Sequence, residues 1–169
     1  MNVYDAVCAK RAIRHFADQP ISDETLRKIL NAGRLAGSSK NTQPWMFIAI
    51  RDRERLKALA ECGTFAAHLA GANVGVALLT PDPAQRWSIM FDLGQAAQNM
   101  MLTAWESGIG SVMATIYEPE KARSLLGFPE EWHIRAAISF GYPSSDPATK
   151  LAKKGMRRTF DEVVKWERW

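Results

Sequence analysis

Gly37-Ser38-Ser39-Lys40-Asn41-Thr42-Gln43-Pro44-Trp45-Met46-Phe47 is the stretch on which the reading of this chain turns. Small and polar residues run directly into an apolar segment. Pro44 lacks an N–H and disfavours helix at the residue before it. Trp45, Phe47, Ile48 and Ile50 then read as a buried strand. Ser38, Ser39, Asn41 and Gln43 therefore sit on a loop feeding a core strand. A loop on so rigid a base is able to present donors to a polar, planar ligand. Taken alone it reads as a plain helix-to-strand turn, because Ser, Asn and Gly are common turn residues.

Upstream, Lys10-Arg11-Ala12-Ile13-Arg14-His15-Phe16 places three cations within five residues. Lys10, Arg11 and Arg14 are suited to neutralising a phosphate and donating to ring oxygens. The plainer alternative is a solvated basic turn.

A chain of 169 residues is expected to form one domain with a real core. Apolar residues make up 47%, which argues against disorder. Twenty-two basic against eighteen acidic side chains give a charge of +4. That suits an anionic ligand such as a nucleotide phosphate without requiring nucleic acid. Cys8 and Cys62 have no CxxC spacing and read as free or buried thiols of a reducing compartment. No apolar run approaches the length of a membrane span, and no leader pattern opens the chain, so a cytoplasmic location is expected.

Taken in order, Asn2 to Ala9 reads as a short helix with Val3, Val7 and Tyr4 facing inward. Ser22 caps a helix running to about Leu35, burying Leu26, Ile29 and Leu30, and Gly37 is placed to end it left-handed. Asp52 to Glu61 is a further helix, and Asn73 to Thr80 a buried strand. Gln85 to Ser107 carries the longest helical pattern, apolar on more than one face. It is read as core on one side and a subunit contact on another. A turn over Gly108–Ser111 leads to a strand over 112–116. A helix follows from Glu118 to Gly127, then a strand from Trp132 to Tyr142. The closing residues Phe160, Val163, Val164, Trp166 and Trp169 are too apolar for a loose tail.

Several chemistries lack support. Gly108-Ile109-Gly110 has no third glycine at Met113, so the dinucleotide fingerprint fails. There is no phosphate-binding loop and no nucleophile elbow. His15, His68 and His133 lack metal-ligand spacing and read as surface or hydrogen-bonded structural histidines. Asp92 stands alone on its helix.

The basic hook, followed about 25 residues later by the Ser-Ser-x-Asn-x-Gln-Pro-Trp loop, resembles the nitroreductase-like family of FMN-dependent oxidoreductases. Four later segments look similar to that family in the same order. They are Phe91-Asp92-Leu93-Gly94-Gln95-Ala96-Ala97-Gln98-Asn99-Met100, the turn Gly108-Ile109-Gly110-Ser111 that leads to the strand passing the flavin ring, Ala137 to Pro143, and Arg157-Arg158-Thr159-Phe160-Asp161-Glu162-Val163-Val164. The resemblance implies an α+β (mixed α/β) fold, a central mixed sheet flanked by helices, in an intertwined homodimer. One such domain spans 1–169, with 150–169 docking on the partner subunit. FMN is the implied cofactor, bound at the dimer interface. By the same resemblance, Lys10, Arg11 and Arg157 or Arg158 hold the phosphate, and Arg14 faces the pyrimidine edge. Gln43 helps to hold the ring or ribityl chain. Ser38, Ser39 and Asn41 reach the flavin bound mainly by the other subunit. The backbone of Met113, Ala114, Thr115 and Ile116 lies by N5. The implied reaction takes hydride from NAD(P)H onto flavin N5 and passes it, ping-pong, to a small-molecule acceptor such as a nitroaromatic, quinone or enone. A fixed cation near N1 and O2 stabilises the reduced ring.

Two departures stand out. Ala12 replaces a usual Ser, and Lys10 replaces an Arg and so loses bidentate geometry. Weaker FMN binding is expected from both. The segment from Gly71 to Gln85 is short, so an open substrate side is expected. Dehalogenation, flavin cleavage and deazaflavin-linked reduction share the fold, and these residues do not separate them. Flavin storage without turnover and a basic nucleic-acid-binding domain are the readings outside it. The latter lacks aromatics interleaved with its basic runs, so neither nucleic acid nor membrane is expected as a partner.

Overall fold

The computed structural model describes residues 2–145 and 157–169. Helix α1 spans Val3–Ala9 and α2 spans Asp23–Arg34. The decisive loop carries a single 3-10 turn, Ser39–Asn41, and leads into β1, Met46–Ile50. Then come α3 (Arg53–Ala60), β2 (Val74–Thr80), the long α4 (Ser88–Glu106) and β3 (Gly110–Thr115). Helix α5 (Pro119–Leu126), β4 (His133–Gly141) and the one-turn α6 (Phe160–Val163) complete the order.

The caps account for the helix starts. Asn2, Ser22 and Asp52 each accept a backbone N–H from the first turn of α1, α2 and α3. Thr159 and Glu162 form a reciprocal capping box that holds the single turn of α6. Gly127 ends α5 in the left-handed conformation, with its N–H on the Arg123 carbonyl.

The sheet order is β1-β2-β4-β3, and every strand pair is antiparallel. Among the described residues, the parallel component of the expected mixed sheet is the bridge from Ala12 to Ser111. Strand β2 is central and buried on both faces. Its alternation divides two cores. Val74, Val76 and Leu78 pack with Ile29, Leu93, Ala97 and Met100 of α2 and α4. Ala77 and Leu79 pack with Leu56, Leu59 and Ala122 of α3 and α5. The result is helices on both sides of one sheet.

Gly33 lets α2 lie close on α4, since a Cβ there would meet the Met100 side chain at 2.8 Å. On the opposite face, α4 exposes Trp87 and Phe91, whose rings meet edge-on 6.2 Å apart. Gly94, one turn further on, is open on that side.

Four expectations need correction. Helix α1 buries Ala6 alone, while Val3, Tyr4 and Val7 face outward. A seven-residue helix with so narrow a contact on α4 has no room to turn a second apolar row inward. Helix α2 ends at Arg34 with Leu35 as its C-cap, near the expected position, but among the described residues the left-handed glycines are Gly108 and Gly127, not Gly37. Strand β3 already begins at Gly110, so Gly110 and Ser111 belong to the sheet rather than to a turn. Strand β1 is an edge, which leaves Met46 and Ala49 exposed.

Candidate active site

The basic hook is held against the sheet by two glycines. Gly110 and Gly141 face each other across β3 and β4. A Cβ on Gly110 would meet Ile13 at 2.6 Å, and one on Gly141 would meet the Phe16 ring at 2.7 Å. The bare backbone at these positions is what admits the two side chains. Ile13 N–H donates to the Ser111 carbonyl at 3.2 Å, and Phe16 bridges to Pro143. With Ile13 buried and Phe16 pinned, Arg14 and His15 are left exposed between them.

Arg14 lines a concavity of about 790 Å³ together with Phe65, His68, Met113 and Ser144. That volume suits a small molecule or cofactor. Met113 reaches it from the free edge of β3. Ile116 N–H donates to the Arg135 carbonyl of β4, and in this register residues 112 and 114 also bond inward. Met113 and Thr115 therefore turn their backbone N–H and C=O groups away from β4. Ser111, two residues back, does the same when it accepts from Ile13. Ala114 and Ile116 are buried in the core beneath.

The far wall is the segment between α3 and β2. Its only helical turn among the described residues is Ala67–Leu69. Gly63 brings this segment against the Thr115 carbonyl so closely that no side chain would fit. His68 points from it into the sheet, where Nδ1 lies 2.7 Å from Ser139 Oγ. Ser139 Oγ in turn donates to the Val112 carbonyl at 3.3 Å. Burial, aided by the nearby Arg14 charge, pushes the His68 pKa down to about 4. The ring is neutral at physiological pH.

The remaining expected site residues lie elsewhere on the chain. Lys10 is half-buried with Nζ 3.5 Å from Met101 Sδ, and burial lowers its pKa. Arg11 donates to the Cys8 and Lys10 carbonyls at 2.7 and 2.9 Å, closing the C-terminal end of α1. Ser39 N–H donates to Asp92 Oδ2 at 3.1 Å, which ties the Ser38–Gln43 loop to α4. Ser38 Oγ accepts from Gln43 N–H at 2.9 Å, and Gln43 Nε2 donates to the Asn41 carbonyl at 3.4 Å. Lys40, Asn41 and Gln43 all hold positive φ near +50°, a strained backbone for three non-glycine residues. Met101 lies about 14 Å further along the helix axis than Asp92. One copy of the chain thus brings Arg14 and the Met113 backbone together but keeps the Ser38–Gln43 loop apart. Arg157 and Arg158 are exposed. The residues Lys150, Lys153 and Lys154 of the basic tail lie outside the described residues.

The model for the Nitroreductase family matches residues 8–66 and 61–142. The chain belongs to the nitroreductase family. A protein of Archaeoglobus fulgidus, provisionally named an NADH dehydrogenase/NAD(P)H nitroreductase, is 38% identical over 149 residues, covering 83% of this chain and 84% of that one. An NADPH-flavin oxidoreductase of Vibrio harveyi is 28% identical over 88% of this chain and 69% of its own length. Among solved structures, an FMN-dependent nitroreductase from Clostridium difficile superposes with a TM-score of 0.86 at 26% identity, covering 99% of this chain and all of that one. Membership of the nitroreductase family makes this an oxidoreductase by lineage. The α+β architecture is that of the family.

Two residues of the site escaped the sequence reading. His68 looked like one structural histidine among three, since Ser139 is 71 positions away. Asp92 looked solitary, and it is instead buried, bonded to the loop and 3.9 Å from Arg86. A lone polar residue in an apolar helix or strand was the available signal in Asp92 and in Ser139.

Proposed function

We propose that the chain is an FMN-dependent NAD(P)H oxidoreductase acting on a small acceptor such as a nitroaromatic, quinone or enone. The observation that carries this reading is that Arg14 lines one concavity with Met113, whose backbone faces away from β4. The residues fit the pyrimidine half of a flavin: a cation on an anchored segment, a strand edge facing away from β4 and a neutral imidazole. When bound, FMN would supply the hydride relay between NAD(P)H and the acceptor. Arg14 would neutralise charge developing on the pyrimidine oxygens. The β3 edge would orient the ring through backbone donors, and no side-chain nucleophile is called for.

The reading also takes two copies of the chain, with the cofactor at their interface. Support comes from exposed apolar residues on α1 and α4 and in the tail: Val3, Tyr4, Trp87, Phe91, Phe160 and Trp166. So broad an apolar surface suits a protein contact. A second copy would also offer its own Ser38–Gln43 loop to a flavin lying beside Arg14. The tail from 157 onward, and Arg157 and Arg158 with it, would dock on the partner. We assign the whole of 1–169 to this one unit, working in the cytoplasm.

Purified protein should be yellow and should bleach when NADH or NADPH is added without air. The Arg14→Ala variant should fold normally, because the side chain is exposed, and should bind FMN weakly or reduce it slowly. Colourless wild-type protein that takes up no flavin would end the proposal. Tight, salt-sensitive DNA binding in such a protein would favour the nucleic-acid reading instead.

A further inference from the structure

The imidazole at the back of the concavity has a tautomer that depends on where its serine partner sends its hydrogen. Ser139 Oγ has one hydrogen and two acceptors in reach, the Val112 carbonyl at 3.3 Å and His68 Nδ1 at 2.7 Å. With that hydrogen on the Val112 carbonyl, the 2.7 Å contact uses a hydrogen on Nδ1. Nε2 is left as a lone pair. Its two partners are buried in the sheet: Ser139 is wholly enclosed and pairs with Val112 across β3 and β4. His68 itself is 9% exposed, and that exposure is on the wall of the Arg14 concavity. The site therefore offers a strong donor and a neutral acceptor side by side.

A carbonyl next to a ring N–H has the complementary pattern, acceptor beside donor. We propose that His68 Nε2 accepts the imide N–H of the flavin pyrimidine ring while Arg14 donates to a neighbouring carbonyl. His68 is thus a cofactor-binding residue, and Ser139 is a positioning residue that fixes its tautomer. The assignment rests on the flavin reading given above.

Titrating the full-length protein with FMN and with N3-methyl-FMN, followed by flavin fluorescence, tests it. Wild type should prefer FMN by about tenfold, the scale of one hydrogen bond. His68→Ala should shrink that preference to less than about threefold. A preference that survives intact in His68→Ala overturns the assignment and leaves the flavin reading standing. Wild-type protein that binds neither flavin overturns both. Should His68→Ala fail to fold, Ser139→Ala takes its place, with partial loss of the preference expected and full retention counting against the proposal. Nitrogen NMR of 15N-histidine in wild-type protein gives a readout free of flavin. A protonated Nδ1 and bare Nε2 at His68 support the relay, and the opposite tautomer overturns it.

Discussion

The Arg14 concavity and the Ser38–Gln43 loop are the two regions of the proposed site, and the chain supports them differently. The first stands on the sheet. Its hook is seated on paired glycines, its floor is a strand edge, and its histidine is wired into a buried serine. The second is tied to α4 by the Ser39 N–H bond to Asp92 and to the segment before that helix by Arg86 donating to Thr42 Oγ1 at 2.6 Å, with three residues in a strained conformation. The sheet-built half is complete within a single copy. The helix-hung half presents its polar groups where nothing of the same concavity meets them. The anchored half carries Arg14, and the strained half lies outside its concavity.

The sharpest way to break this contrast is at the glycines. Gly110→Ala would place a methyl group 2.6 Å from the Ile13 side chain. Overpacking of this kind costs about 2–3 kcal/mol. Urea unfolding should show that loss, and FMN uptake should fall with it because Arg14 moves with the hook. Unchanged stability would mean that the hook is not seated on the sheet.

The loop answers to Asp92. Asp92→Ala leaves the Ser39 N–H without its partner and removes the carboxylate near Arg86. A loss of about 2 kcal/mol is expected, with limited proteolysis shifting to the Ser38–Gln43 loop while the concavity stays protected. Cleavage at the hook instead would dissolve the distinction between the two regions.

Acid should affect the sheet-built half in particular. His68 titrates near 4 when folded against 6.5 for the free side chain. Between those values the unfolded chain binds the additional proton. Stability contributed by the neutral ring is therefore full above about 6.5, falls as pH drops toward 4 and is flat below that. The loss is about 3 kcal/mol at most. Comparing unfolding of wild type and His68→Gln across this window isolates it, and parallel curves would show that the ring carries no such linkage.

The smallest effect is expected at Lys40, an exposed residue at φ 54°. Lys40→Gly relieves the left-handed penalty and should stabilise the chain by about 0.5 kcal/mol. A thermal melt that moves downward would show that the lysine side chain, rather than the backbone, sets the loop conformation.

Much of this contrast was legible in advance where the signals are local. Ser22 and Asp52 announce their helices, and the run from Val74 to Thr80 announces a strand buried on both faces. Arg14 and Met113 belong to segments 99 residues apart, and both line one concavity. The misses are long-range. Nothing near Val3, Tyr4 and Val7 says that their helix turns them outward. Nothing near Arg11 says that its guanidinium closes the preceding helix. The links from Ser39 to Asp92 and from His68 to Ser139 span 53 and 71 residues, beyond any periodicity.

The seating of Ile13 and Phe16 on two bare backbone positions separates two duties that a basic loop usually mixes. The pair of apolar side chains answers for where the hook goes, and Arg14 between them answers for what it does. Electrostatic character at this spot is therefore adjustable without retuning the fold: a lysine, a glutamine or a neutral residue in place of Arg14 would ride on the same anchor. The charge of the pocket is in that sense a surface setting on a mechanically independent mount.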